Sequence, residues 1–152
     1  MSAVIDSHHD DHHHGPAKGI SRWLYTTNHK DIGSMYLWFS LIMLFIGGAM
    51  AMVIRAELFE PGSQIVSPEF YNQMVTNHGL IMVFGVIMPA FVGFANWMIP
   101  MQIGAPDMAL PRLNNLSFWI LPVAFGILLS TFFMEGGAPN FGWTFYAPLS
   151  TE

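Results

Sequence analysis

The chain contains no cysteine, so disulfides and iron–sulfur clusters are excluded. It is also poor in charge. Asp, Glu, Lys and Arg make up 10 % of its 152 residues, where an ordinary soluble domain carries about 25 %. A soluble fold with so little charge would struggle to cover its surface. No apolar segment followed by a small-residue cleavage site stands near the N-terminus, so a signal peptide is not expected. The net charge is −5, and no nucleic-acid partner is expected.

What the chain has instead is apolar length. Hydrophobic residues make up 53 % of it. Ile32 to Ile54 is a run of 23 residues between Asp31 and Arg55, and Leu113 to Met134 a run of 22 between Arg112 and Glu135. Between them, the 37 residues from Phe70 to Pro106 hold no Asp, Glu, Lys or Arg. About 20 apolar residues cross a hydrocarbon core at 1.5 Å each. The pattern predicts an all-α membrane protein with three transmembrane helices, over about 32–54, 75–100 and 114–134. A soluble helical bundle would need polar faces that these runs lack. Twelve methionines and thirteen phenylalanines read as soft packing surface.

One residue stands out inside this frame. His78 is the only histidine of the 70–106 stretch. An imidazole in lipid is costly, so it needs a partner or a ligand. Gly85, Pro89 and Gly93 recur every four residues after it. Gly85 falls within about 20° of the same helix meridian, and Asn96, eighteen residues on, lies five ideal turns away. Such small-residue stripes pack helices together or clear room for a flat cofactor. Pro89 is expected to kink the helix, and Gly47 with Gly48 to mark a close approach of the first span.

The ends of the runs carry the orientation. Lys18, Arg22 and Lys30 precede the first span and Arg112 lies between the second and third, whereas the 55–69 region has Arg55 against Glu57, Glu60 and Glu69. The positive-inside rule puts the N-terminus and the 100–112 loop in the cytoplasm. Trp23, Tyr36, Trp38, Trp97 and Trp119 fall near span ends and read as interfacial anchors. Residues 1–20 form a polar tail with His8, His9 and His12 to His14, read as disordered, since the tract lacks the spacing of a tetrahedral metal site. Gly104, Pro106 and Pro111 predict a tight turn around Asp107, a carboxylate that from position alone could be a solvated charge or a partner of Arg112.

Four strings share a further likeness: Thr26-Thr27-Asn28-His29-Lys30-Asp31-Ile32-Gly33, Ile54-Arg55-Ala56-Glu57-Leu58, Ile103 to Ala109 with Pro111 to Ser117, and Gly142 to Thr151. Together they resemble subunit I of the heme–copper oxidases, specifically A-type cytochrome c oxidases, from about Trp23 onward. The resemblance implies that these three helices are part of a twelve-helix subunit that reduces O2 to water with electrons from cytochrome c and pumps protons. It implies that His78 is one axial ligand of a low-spin heme A, with Arg55 at the heme formyl group. It implies a proton pathway opening at Asp107 and lined by Asn96 and Asn114, with Asn28 and Tyr36 as weaker candidates. It also implies an outer-face Ca2+ site from Glu57, Glu60, Gly62 and Gln64. No catalytic residue of the binuclear centre falls here. The high-spin heme, copper B and their ligands belong to later helices of the family subunit, and by the family pattern the chain stops mid-loop. It is read as a fragment, a split subunit or a truncated product. Partners implied are the remainder of subunit I, a copper-A-bearing subunit II, subunit III and cytochrome c, in a bacterial inner membrane. A quinol oxidase of the same superfamily and a non-catalytic truncated membrane subunit are the alternatives.

Overall fold

The computed structural model describes residues 19–62 and 64–151. The His-rich tract lies outside the described residues, as does all but the end of the expected 1–20 tail. The described chain is helical. A short α1 (Ile20–Tyr25) leads into α2 (His29–Glu57). The second long helix runs as α3 (Pro68–Leu80), a π-helical stretch (Ile81–Ile87) and α4 (Met88–Gln102), and the third is α5 (Pro111–Ser130) with a closing 3-10 turn, Thr131–Phe133. Among the described residues three helices, at 29, 35 and 23 residues, are long and apolar enough to cross a membrane. This is a multi-pass membrane architecture. The first two expected spans lie inside observed helices, and the third does so up to its end at Phe133.

The helix starts follow local chemistry. Asn28 caps α2, its side chain accepting from the Lys30 amide. Ser67 caps α3 by accepting from the Phe70 amide, with Pro68 at the first helical position and Glu69 in the first turn. Pro111 opens α5 in the same way. Pro89 makes no sharp break. It supplies no N–H, and the turn before it widens, so that the Met88 amide reaches Val83 O five residues back. The expected kink takes the form of a π stretch, the usual way a helix absorbs such a fault. The Ser40 hydroxyl of α2 donates to Val86 O inside this stretch at 2.9 Å.

The second span packs against α2 along its length, and glycines set the approach. An added Cβ on Gly33 would stand 2.9 Å from Gly93 O, so the two backbones touch there. Gly47 meets Ile81 and Met82, and Gly85 meets Met43 and Phe125. The glycine stripe of the second span is therefore helix-packing surface on α2 and α5. Gly48 meets nothing within 4 Å, so the close approach expected of both glycines belongs to Gly47 alone. Two small cores form between the helices: Met43, Met50, Met74, Ile81 and Phe125, and Ile32, Met35, Tyr36 and Phe118. The methionines fill these cores, as their flexibility suits. Tyr36 is 3 % exposed, edge-on to Phe118, so it is a core residue and not an interfacial anchor. The outward faces carry Phe45, Phe91 and Ile127, all exposed and apolar, as lipid or neighbouring helices require.

Candidate functional site

Two polar regions interrupt the apolar bundle. The first lies where α2 begins and the second span ends. The turn expected around Asp107 forms with Gly104 at φ +69. It brings Asp107 to the start of α2, where its Oδ1 accepts from the His29 amide at 3.3 Å and from the Met108 amide at 2.8 Å. Asp107 has no ion pair with Arg112. Among the described residues Arg22 and Asp31 form the ion pair, at 2.8 Å, and that hydrogen-bonded carboxylate raises the pKa of the Arg22 guanidinium.

Asn96 projects from α4 into the same region and is 4 % exposed. Its Nδ2 donates to Val92 O, one turn back, at 2.9 Å, which orients Oδ1 to accept from Asn114 Nδ2 at 2.6 Å. Asp107, Asn96 and Asn114 all line one cavity of about 610 Å3, walled by Val92, Ile99 and Ile103 among others. The structure thus brings together all three residues expected at a proton entrance. Asn28 is occupied as the α2 cap.

The network continues inward. Ser117 Oγ donates to Asn114 O at 2.6 Å. That uses its only proton, so Tyr36, 2.8 Å away, is the donor in the Tyr36–Ser117 bond. Sequence reasoning does not find Ser117. Its place three residues after Asn114 is a weak signal, because serine at that spacing commonly bonds its own helix. His29 escapes it as well. It is 5 % exposed, and its Nδ1 bonds the Asn96 backbone carbonyl at 2.8 Å. Its ring and its amide hold Asn96 and Asp107 to one helix end.

The second region surrounds His78, about 15 Å into the second span from Pro68 at 1.5 Å per residue. Its Nδ1 stands 2.8 Å from Gly47 O. A carbonyl only accepts, so Nδ1 carries the proton, and in the neutral ring Nε2 keeps a free lone pair. Among the described residues nothing bonds Nε2. A histidine held by Nδ1–H to a backbone carbonyl, with Nε2 open, is how metal-binding imidazoles are presented. These residues fit a heme iron. Arg55 is exposed in the last turn of α2 and has no ion pair among the described residues. It stands eight residues beyond Gly47, about 12 Å along the axis, and among the described residues no hydrogen bond joins it to His78.

The loop after α2 presents different chemistry. Glu57 is 6 % exposed. Its Oε1 accepts from the Gln64 amide at 2.8 Å, and its Oε2 from the Ile65 and Val66 amides at 2.9 and 3.0 Å. Gln64 turns its Nε2 to Pro61 O at 3.0 Å. The carboxylate faces N–H donors, where a hard cation needs oxygen atoms. Among the described residues no group of three or more His, Cys, Asp or Glu could hold a metal ion. As arranged, the Glu57 carboxylate is taken up by these three loop amides.

Comparison with known proteins extends the picture. A family described as "Cytochrome C and Quinol oxidase polypeptide I" matches residues 31–152. A relative from Corynebacterium diphtheriae named "Cytochrome c oxidase subunit 1" is 49 % identical over 138 residues, covering 90 % of this chain and 24 % of the relative. "Probable cytochrome c oxidase subunit 1-alpha" of Streptomyces coelicolor is 49 % identical over 135 residues, 89 % of this chain and 23 % of the relative. "Heme-copper oxidase subunit I+III" of Aeropyrum pernix is 47 % identical over 133 residues, 88 % of this chain and 16 % of the relative. The chain spans less than a quarter of the length of these curated relatives.

Proposed function

The chain belongs to the cytochrome c and quinol oxidase polypeptide I family, and on that premise we propose that residues 21–152 act as the N-terminal transmembrane portion of the catalytic subunit of a proton-pumping terminal oxidase. The whole assembly would reduce O2 to water with electrons from cytochrome c, helped by a copper-A-bearing subunit and a third subunit. The name of the Corynebacterium relative supports cytochrome c as donor, whereas the family description also admits quinol. Charge asymmetry supports a cytoplasmic N-terminus.

The observation that carries the reading is His78, with Nδ1 committed to Gly47 O and Nε2 open inside an apolar span. We assign it the role of holding a low-spin heme A through Nε2, with a second ligand from outside this chain. A heme bound there would supply one-electron transfer. Gly47 O fixes the ring tautomer and raises the basicity of Nε2. Arg55 would be the cation for the formyl group of such a heme, where a positive charge favours the reduced state. At the other end Asp107 gathers protons. Asn96 and Asn114 hold ordered water in their cavity, and Ser117 with Tyr36 extends the polar track inward.

His78→Ala tests the assignment. The assembled oxidase should lose its low-spin heme absorption band, and an unchanged spectrum would overturn the ligand role.

A further inference from the structure

The most buried polar side chains in the described molecule stand immediately before His78. Thr76 is 1 % exposed and Asn77 0 %. Neither is used by the proton track, and neither bonds Gly47. Both face residues 137–143, the segment that follows the third span and folds back over the second. Thr76 Oγ1 donates to Asn72 O at 2.8 Å, which leaves its lone pairs for the Gly142 amide at 2.9 Å. Asn77 Nδ2 donates to Gln73 O at 2.8 Å and to Pro139 O at 3.3 Å. Its Oδ1 is buried with no partner. A buried amide with an orphaned oxygen is unfavourable by itself, so its two Nδ2 bonds must hold it. Two residues on, Gly79 lies under Trp143, close enough that an added Cβ would meet the indole at 3.3 Å. Gly137, at φ +76, lies close against the Gln73 side chain.

These contacts form a strap. Residues 76, 77 and 79 are consecutive but for His78, and all three bind the same returning segment. His78 leaves the helix in the other direction, to α2. A helical turn held on one side by hydrogen bonds to residues 139–142 and on the other by one imidazole bond has little rotational freedom. We propose that Thr76 and Asn77 are positioning residues for His78: by fastening residues 137–143 across its helical turn, they set the direction in which Nε2 points. The proposal rests on His78 being an axial heme ligand. A ligand whose ring plane is set by its surroundings tunes the iron it binds, so loosening the strap alters the spectrum and potential of that heme before it alters occupancy.

The test uses the assembled, heme-loaded oxidase. Thr76→Val keeps shape but cannot accept from Gly142, and Asn77→Leu keeps size but cannot donate to Pro139. Each should displace the low-spin ferric electron paramagnetic resonance g-values and the midpoint potential while heme content stays at wild type. Thr76→Ser, which keeps the hydroxyl, should restore both. In the wild-type assembly the Gly142 amide should be protected from hydrogen exchange. Wild-type signals in both Thr76→Val and Asn77→Leu would sink the strap. So would a Gly142 amide exchanging like free loop in the wild type, which decides the matter even if the variants do not assemble. His78→Ala separates the two layers. If it keeps the low-spin heme, the ligand assignment fails; if it loses that heme and the strap variants are unchanged, only the positioning role fails.

Discussion

Two carboxylates at opposite ends of the bundle have opposite fates. Glu57 is buried, and three amides of one loop converge on its two oxygens. Asp107 is exposed, with one oxygen taking two amides, and it borders a cavity lined by Asn96 and Asn114. The chemistry of the side chains is nearly the same. What differs is where the neighbouring donors come from. At the Glu57 end most polar groups have a protein partner: Glu57 has the 64–66 amides, Thr76 and Asn77 Nδ2 have the returning segment, and His78 Nδ1 has the Gly47 carbonyl, with Asn77 Oδ1 and His78 Nε2 left over. At the Asp107 end polar atoms are left facing an open space. A closed end suits holding a ligand still, and an open end suits passing protons through water.

The sharpest way to break this contrast is Asp107→Asn. If the open end takes up protons, turnover and pumping should fall roughly 100-fold, the scale of losing one positioned proton-transfer group, with heme content unchanged. Normal pumping by the purified variant would remove the distinction between the ends. Gly33→Ala probes the frame that holds both. Its Cβ would stand 2.9 Å from Gly93 O, and overpacking of that kind costs about 1–3 kcal/mol. A lowered thermal midpoint is expected, together with weaker proton uptake, because Asn96 lies in the same contact. Glu57→Gln tests the closed end. It replaces one amide-facing oxygen by an N–H2 group, so limited proteolysis between residues 58 and 66 should quicken, while adding calcium or a chelator to the wild type should change nothing. A calcium-dependent protection of that loop would restore the cation site. Gly48→Ala should have the smallest effect. Open space surrounds it, so the helix should gain up to about 1 kcal/mol from the alanine, and a loss comparable to that of Gly33→Ala would show that α2 is covered on this face.

Much of the fold is legible in the residues alone. The three spans follow from hydropathy, which is local and additive along the chain, and His78 stands out because nothing like it surrounds it in sequence. The strings around Asn28 to Gly33 and Ile103 to Ser117 carry the family. Tyr36 reads as an anchor from sequence, yet it is core, because distance from a span end does not report rotation about the helix axis. Glu57 reads as a cation ligand, yet it binds amides, because a carboxylate beside a glycine turn is compatible with several partners. His29 gives no periodic or compositional signal, and Ser117 only the weak one of its spacing from Asn114. Their partners, Asn96 and Tyr36, lie 67 and 81 residues away.

That this chain crosses a membrane, where it crosses, and that one imidazole must be accounted for in lipid are all written in the residue types of single stretches. Tertiary structure alone decided which nitrogen of His78 stays open, that Asn96 and Asn114 share a hydrogen bond over the Asp107 cavity, and that Glu57 turns to amides. Each of those depends on the axial register and rotation of one helix against another. That register is set by glycine contacts such as Gly33 with Gly93, and by a π stretch whose Val86 carbonyl accepts from Ser40 on a different helix.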